Sequence, residues 1–318
     1  MNFTLSMPLL FSQWFVPTSK KSNSAGKGIP RANPKIAIPA KTSELPGASA
    51  YGQVSLIGAG PGDAELLTLK AYRLLQQADV VMYDWLVNPR ILEMIPPQVE
   101  RVFVGKRCNQ HSMAQQDICQ LMVTYAQAGK NVARLKGGDP AIFARTPEEC
   151  TALTEHNIEF VIVPGITAAS GASAYAGIPL THRDCAQSVR FITAHLQDPE
   201  AQPDWANLVL PSHSGHKGET LVFYMGLKRV ASIMASLQEH GLRADVPVAV
   251  IDQATSAAQQ VCVGCVSNIA TLLANLDFAG PALIIVGEVV NKRQQVSLQT
   301  QAQSPVKINY PGMFVTEQ

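Results

Sequence analysis

The sequence predicts an α/β protein made of two successive α/β blocks. Short apolar runs alternate with stretches whose apolar residues recur every three or four positions, the pattern of strands and helices in turn. Most of those runs stop at glycine, proline or aspartate, as strands do where the chain turns. Around Gly177–Asp184 the chain changes character, which predicts a boundary between a domain at 51–181 and a second at 182–290.

The elements of the first block follow in order. Val54–Ile57 reads as a strand ended by Gly58-Ala-Gly-Pro-Gly62, and Leu67, Ala71, Leu74 and Ala78 then share one helical face. Val80–Tyr83 and Val99–Val104 are the next strands. Ser112 is placed to cap a helix carrying Ile118, Met122 and Tyr125, and Gly129 to end it. Val132–Leu135 is a fourth strand, stopped by Gly137-Gly-Asp-Pro140. Phe160–Val163 is a fifth, followed by a small-residue helix from Ala168 to Ala176. Regular strand–helix alternation predicts a largely parallel sheet.

In the second block Val189–Thr193, Leu221–Tyr224, Val246–Ile251, Gln260–Val263 and Leu283–Val286 read as strands. Val230, Ile233, Met234 and Leu237 form a helical stripe. Some connections are too short for helical crossovers, so this sheet is expected to be mixed. Residues 291–318 are polar and aperiodic and are expected to form a loose tail, and residues 1–50 a disordered leader.

Composition excludes several classes. The chain has 318 residues, 47% of them hydrophobic and 15% charged, with a formal net charge of +1. That balance suits a protein with a sizeable core and argues against a strongly basic nucleic-acid binder. No apolar run is long enough to span a membrane. Residues 1–50 hold Lys20, Lys21, Lys27, Arg31, Lys35 and Lys41 against Glu44, without the start and cleavage pattern of a secretory signal. The cysteines are scattered through a chain too long to need staples, so a reduced, cytoplasmic setting is expected. Cys262-Val-Gly-Cys265 lacks a second pair, and His213 with His216 lacks a third ligand, so no metal is expected.

In open α/β sheets ligands sit beyond the carboxyl ends of the strands. Here those ends carry glycine loops and charges: Gly60-Pro-Gly-Asp63, Tyr83-Asp84, Gly105-Lys106-Arg107, Lys136-Gly-Gly-Asp-Pro140 and Pro164-Gly-Ile-Thr-Ala168. Asp84 and Lys106 offer an acid–base pair on neighbouring loops. Familiar motifs fail in detail. The third glycine of a dinucleotide loop is replaced by Asp63, whose charge would repel a pyrophosphate. His182-Arg183-Asp184 lacks the asparagine a kinase catalytic loop needs at position 189, and Ser170 and Ser173 lack the glycines of a hydrolase elbow.

Taken together, Gly58-Ala-Gly-Pro-Gly-Asp63, Tyr83-Asp84, Val104-Gly-Lys106, Leu135-Lys-Gly-Gly-Asp-Pro140, Pro164-Gly-Ile-Thr-Ala-Ala-Ser170, Gly177-Ile-Pro-Leu-Thr-His-Arg-Asp184 and Thr220-Leu-Val-Phe-Tyr-Met-Gly226 resemble the tetrapyrrole methylase family. The resemblance runs from about Val54 to Val290, and the Pro-Leu-Thr-His-Arg-Asp stretch resembles most closely the members that methylate uroporphyrinogen III. It implies two α/β domains with S-adenosyl-L-methionine bound in the cleft between them, and S-adenosyl-L-homocysteine as a product. It implies methyl transfer to C-2 and C-7 of uroporphyrinogen III, giving precorrin-2 for sirohaem and cobalamin. It also implies a homodimer, while the near-neutral charge and the lack of a long apolar run leave neither nucleic acid nor membrane as an expected partner. By the same resemblance, Asp84 is the proton acceptor and Lys106 the proton donor. Pro61, Gly137, Gly138, Asp139, Ile142, Thr167, Ala168, Met225 and Ala254 match cofactor contacts.

The substrate so implied is a polycarboxylate, and Arg107, Lys136, Arg183 and Arg190 are the basic residues expected to meet its arms. The sequence departs from the family pattern at Ala141, Ala144 and Thr146, where an aromatic and two glycines are usual, and at Gln253-Ala254, where Asn-Gly is usual. An alanine at 144 would be strained if the backbone there took positive φ. Pro211–Gly218 reads as a small insertion. The leader is too short and unpatterned for the dehydrogenase–chelatase half of fused sirohaem synthases, so a stand-alone methyltransferase is expected. The alternatives are a methylase of a different substrate and a binding protein that has lost turnover.

Overall fold

The computed structural model describes residues 51–105, 113–195, 203–209 and 218–294. The expected leader at 1–50, Ser112, all but Gly218 of the expected insertion at Pro211–Gly218 (with His213 and His216), and most of the expected tail lie outside these residues.

The first sheet is five-stranded and wholly parallel. Its strands are β1 (Val54–Gly58), β2 (Val80–Tyr83), β3 (Glu100–Phe103), β4 (Val132–Lys136) and β5 (Phe160–Val163), in the spatial order β3-β2-β4-β1-β5. The helices between them are α1 (Leu69–Gln76), α2 (Pro89–Glu93), α3 (Gln115–Gln127) and α4 (Thr146–Glu155). Ala71 and Leu75 of α1 and Ile91 of α2 pack on one face against Ile57, Val81, Ala133 and Leu135. Ile118 and Met122 of α3 and Leu153 of α4 cover the other face against Leu56, Met82 and Val132. The central strands β1, β2 and β4 are therefore buried on both faces, which is why β1 and β2 read as nearly continuous apolar runs.

Boundaries shift where caps decide them. Helix α1 starts only at Leu69 because Thr68 accepts the Ala71 N–H at 3.2 Å. Helix α3 starts at Gln115, with Ala114 in the cap position and its N–H donated to Asp117 at 3.3 Å. Helix α4 was not foreseen. Its signal was Thr146-Pro-Glu-Glu, a proline and two acids in a first turn.

Helix α5 (Ala168–Ala176) carries the chain to the second sheet. There the strands are β6 (Ala186–Thr193), β7 (Gly218–Tyr224), β8 (Pro247–Asp252), β9 (Gln260–Cys265) and β10 (Ala282–Val286), in the order β6-β7-β10-β8-β9. Strands β6 and β7 are parallel and the other pairs antiparallel, so the sheet is mixed. Helices α6 (Trp205–Leu208), α7 (Val230–Glu239) and α8 (Ile269–Leu273) complete this half. Trp205, the α7 stripe and Ile269 bury one face against Phe223, Val248 and Ile284.

The opposite face is covered by α5. Ala169, Ala172 and Ala176 lie against Val222, Ala249, Ile251, Leu283 and Ile285. Small side chains on that helix let its backbone approach the sheet closely. Residues 291–294, expected to open a loose tail, are instead pinned to the end of α5. Arg293 donates to the Ala176 carbonyl at 3.2 Å and the Gln294 N–H to that of Gly177 at 2.8 Å.

Candidate functional site

The strand order places a switch point between β1 and β4. The chain leaves β1 toward β2 on one side, whereas it leaves β4 toward β5 on the other. Such a divergence opens a crevice at the carboxyl ends. Three loops meet there. The Gly60 N–H donates to the Gly138 carbonyl at 3.1 Å, and the Gly138 N–H donates back to Gly60 at 2.7 Å. A Cβ on Gly165 would stand 2.4 Å from the Gly138 carbonyl oxygen, so only glycine permits this crossing. Gly138 itself has φ +71° and nothing within 4 Å of where a Cβ would stand. Its outer side is bare backbone.

Asp139 holds the crossing together. One carboxylate oxygen accepts the Ala141 N–H at 2.7 Å and the other the Gly165 N–H at 3.1 Å. Beyond it, positive φ falls on Phe143 (51°) and Arg145 (55°), not on Ala144. The strain considered for Ala144 is therefore borne by its two neighbours. The Arg145 guanidinium makes a two-point contact with Glu148, at 2.8 and 2.6 Å.

The second half meets these loops from the end of β7. The Tyr224 hydroxyl lies 2.7 Å from Thr167 Oγ1 and accepts the Ala169 N–H at 3.1 Å. Its ring packs edge-on against Phe143 and Phe191. Met225 follows with φ +57° and is 52% exposed. A second joint lies beside Gly62. The Asp63 N–H donates to Thr255 Oγ1 at 2.9 Å, and Tyr175 donates its hydroxyl to the Asp63 carboxylate at 2.6 Å. Burial and that carboxylate push the Tyr175 phenol up to about 12. Pro61, Gly137, Gly138, Asp139, Ile142, Thr167, Ala168 and Ala254 are all partly exposed along these loops.

Asp84 ends β2, beside β4. One oxygen accepts the Leu86 N–H at 3.0 Å, and the other lies 3.7 Å from Arg134 Nη2. Gly137 is packed under Leu86, which links the Asp84 loop to the glycine crossing. Trp85 and Leu86 are 59% and 52% exposed, so an apolar surface borders the carboxylate. Lys106 and Arg107 lie outside the described residues.

The expectation that Lys136 meets a substrate carboxylate is corrected. Lys136 is only 3% exposed, and its ammonium is bonded to Glu149, which is fully buried. Burial pushes the Lys136 ammonium down from its ordinary range, and Glu149 opposes that shift. Arg134 pairs with the same Glu149 at 3.2 Å. Glu149 and Arg134 went unread because a charge inside an apolar strand is visible only once its partner helix is placed. Arg190 is likewise tied within the second sheet, to Glu219 at 2.9 Å and the Asn207 carbonyl at 2.7 Å. Arg183 is exposed and precedes β6, at the end of that strand opposite Thr193, which pairs with Tyr224.

Among the described residues no group of three or more histidine, cysteine or acidic side chains is placed to hold a metal ion. No helix among them is long and apolar enough to cross a membrane.

Residues 53–270 match the family described as tetrapyrrole (corrin/porphyrin) methylases. A siroheme synthase from Acinetobacter baylyi is 54% identical over 245 residues, covering 77% of this chain and 52% of that protein. One from Pseudomonas putida is 52% identical over 246 residues, again 77% and 52%. The chain thus spans about half the length of the curated relatives it matches. Among solved structures, a uroporphyrin III C-methyl transferase from Thermus thermophilus overlaps with a TM-score of 0.64 at 37% identity, over 76% of this chain and 99% of that one. A Thermus thermophilus enzyme of the same name, complexed with S-adenyl homocysteine, gives 0.62 at 36% over 75% and 93%. The fold, the glycine crossing and these matches agree: the chain belongs to the tetrapyrrole (corrin/porphyrin) methylase family.

Proposed function

We propose that the chain is an S-adenosyl-L-methionine-dependent C-methyltransferase that methylates uroporphyrinogen III at C-2 and C-7, giving precorrin-2 for sirohaem and cobalamin. The observation that carries this reading is the glycine crossing at the switch point, where Gly138 offers bare backbone to a ligand.

The residues present suit that cofactor. Bare backbone at Gly138 admits a ligand at close range, Gly137 beside it is covered by Leu86, and the exposed Met225 and Phe143 offer apolar surface to an adenine or a thioether. Pro61, Asp139, Ile142, Thr167, Ala168 and Ala254 are the other proposed contacts. S-adenosyl-L-methionine supplies a methyl group on a cationic sulfur and leaves as S-adenosyl-L-homocysteine.

The protein's task is then alignment and proton handling. Asp84 accepts a proton as a pyrrole carbon becomes nucleophilic, and Arg134 at 3.7 Å steadies the carboxylate before that step. Trp85 and Leu86, both exposed beside Asp84, give the substrate an apolar surface to lie against. Lys106 is the proposed proton donor. Arg107 and Arg183 are the proposed partners of the substrate's acidic arms, because a guanidinium grips a carboxylate at two points. Lys136 and Arg190 leave this set because protein carboxylates already hold them.

A second reading keeps the chemistry and changes the substrate. It is favoured by a cobalt precorrin-4 methyltransferase that overlaps with a TM-score of 0.65 at 28% identity, over 75% of this chain and 95% of that one. Incubation with S-adenosyl-L-methionine and a panel of tetrapyrrole precursors separates the two. Methyl incorporation into uroporphyrinogen III supports the first reading, and incorporation only into a later corrin precursor supports the second. The proposed homodimer is tested by light scattering at micromolar concentration, where a monomer contradicts it.

A further inference from the structure

Two cations are buried behind Asp84, and one carboxylate holds both. Arg134 and Lys136 are two residues apart on β4, so their side chains leave the same face of the sheet. That face is the one packed against α3 and α4, with Met122 and Leu153 as neighbours. Ammonium and guanidinium groups do not enter such surroundings uncompensated. Glu149 on α4, fully buried, meets both: Lys136 on one oxygen and Arg134 Nε on the other, at 3.2 Å. The amide of Gln115 on α3 donates to the same carboxylate at 3.4 Å.

One carboxylate against two cations leaves a positive charge over. Asp84 supplies the balance, its Oδ2 lying 3.7 Å from Arg134 Nη2. Among the described residues the charged groups facing Asp84 are therefore Arg134 and Lys136 on β4 and, behind them, Glu149 on α4. Arg134 is gripped through Nε by Glu149 and donates through Nη1 to the Leu135 carbonyl at 2.9 Å, so its Nη2 is held toward Asp84.

We propose that Glu149 is a positioning residue for the methyl transfer: through Arg134 it fixes the orientation of Asp84 and sets the charge against which that carboxylate takes up a proton. The proposal rests on the reading of Asp84 as proton acceptor. Its electrostatic consequence has a sign. Removing the Glu149 charge leaves a surplus positive charge near Asp84, which makes the carboxylate harder to protonate and a weaker base. Removing the Lys136 charge does the opposite. A merely structural brace would weaken the enzyme in both cases without moving the two titrations apart.

The test follows the Asp84 carboxyl carbon by NMR across pH in carbon-13 aspartate-labelled full chain, with D84N for assignment. Wild type, Glu149→Gln and Lys136→Met are compared, alongside single-turnover methylation of uroporphyrinogen III. The Asp84 midpoint is expected to fall in Glu149→Gln and to rise in Lys136→Met. The acid limb of the rate should move with it in each variant. Single-turnover rate should drop about tenfold in Glu149→Gln, with S-adenosyl-L-methionine affinity within about twofold of wild type. Midpoints unmoved in both variants would overturn the proposal. Should Glu149→Gln fail to fold, Lys136→Met decides alone: an upward shift supports the coupling and no shift overturns it. A D84N enzyme that keeps the wild-type rate overturns the base reading and Glu149's part in the reaction with it. Unmoved midpoints with D84N inactive overturn the Glu149 proposal alone.

Discussion

The Tyr224 hydroxyl sits 2.7 Å from Thr167 Oγ1 and accepts the Ala169 N–H, joining the end of β7 to the start of α5. Thr167 and Ala168 are proposed cofactor contacts, so one hydroxyl from the second sheet sets the edge of a pocket built largely by the first. Tyr224→Phe keeps the ring against Phe143 and Phe191 but leaves the Ala169 N–H without that acceptor. The expected cost is about 1–2 kcal/mol of stability and a three- to tenfold loss of S-adenosyl-L-methionine affinity, the latter about 0.7–1.4 kcal/mol. Calorimetric titration and thermal unfolding measure both. Unchanged affinity would show that this joint does not shape the cofactor site.

Asp139 binds two backbone N–H groups on different loops. Asp139→Ala frees both and lets the glycine crossing loosen. Cofactor affinity should fall at least about tenfold, with Asp139→Asn in between, because the amide oxygen can keep one of the two bonds. Equal affinities across the three proteins, measured by calorimetry, would remove Asp139 from the site.

Tyr175 and Asp63 give a pH signature at the other joint. The Tyr175 phenol is pushed up to about 12 in the folded state, against about 10 in an unfolded chain. The native state therefore holds this proton more tightly. Its stabilisation is complete below about pH 10 and is lost as pH rises through about 12. Tyr175→Phe should be less stable than wild type at about pH 8, by roughly 1–2 kcal/mol, and the gap should close toward about pH 12. Urea unfolding at several pH values checks this, and parallel curves would contradict it.

Gly171 on α5 lies under the β1 loop. A Cβ there would stand 2.4 Å from Pro61 Cγ and 3.0 Å from Thr255 Cγ2. Gly171→Ala must displace the proline ring, at a cost of about 1–3 kcal/mol. Because Pro61 is a proposed contact, cofactor affinity should fall along with the melting temperature. A variant as stable as wild type would mean the loop yields freely.

Much of this was legible before any coordinates. Alternating apolar runs placed every strand of the first sheet to within a residue or so, because each strand keeps an apolar run even where Glu100 and Arg101 of β3 or Arg134 and Lys136 of β4 interrupt it. Glycines gathered at several strand ends marked the crevice, since such a gathering suits backbone that closely approaches a ligand or another backbone. Arg134, Lys136 and Glu149 were not legible. Strand and helix are brought face to face only by the fold, and nothing local distinguishes a buried cation from an exposed one. The same limit explains Arg190, whose partner Glu219 lies on the next strand. At Phe143 and Arg145 the family's glycine positions pointed to the right segment but to the wrong residue, since positive φ fell on the neighbours of Ala144.

The most direct test of the account is the mass of the tetrapyrrole recovered after anaerobic incubation of the purified protein with uroporphyrinogen III and S-adenosyl-L-methionine. A gain of two methyl groups, matched by S-adenosyl-L-homocysteine released, is the result predicted. An unmethylated substrate recovered from protein that still binds the cofactor would contradict it.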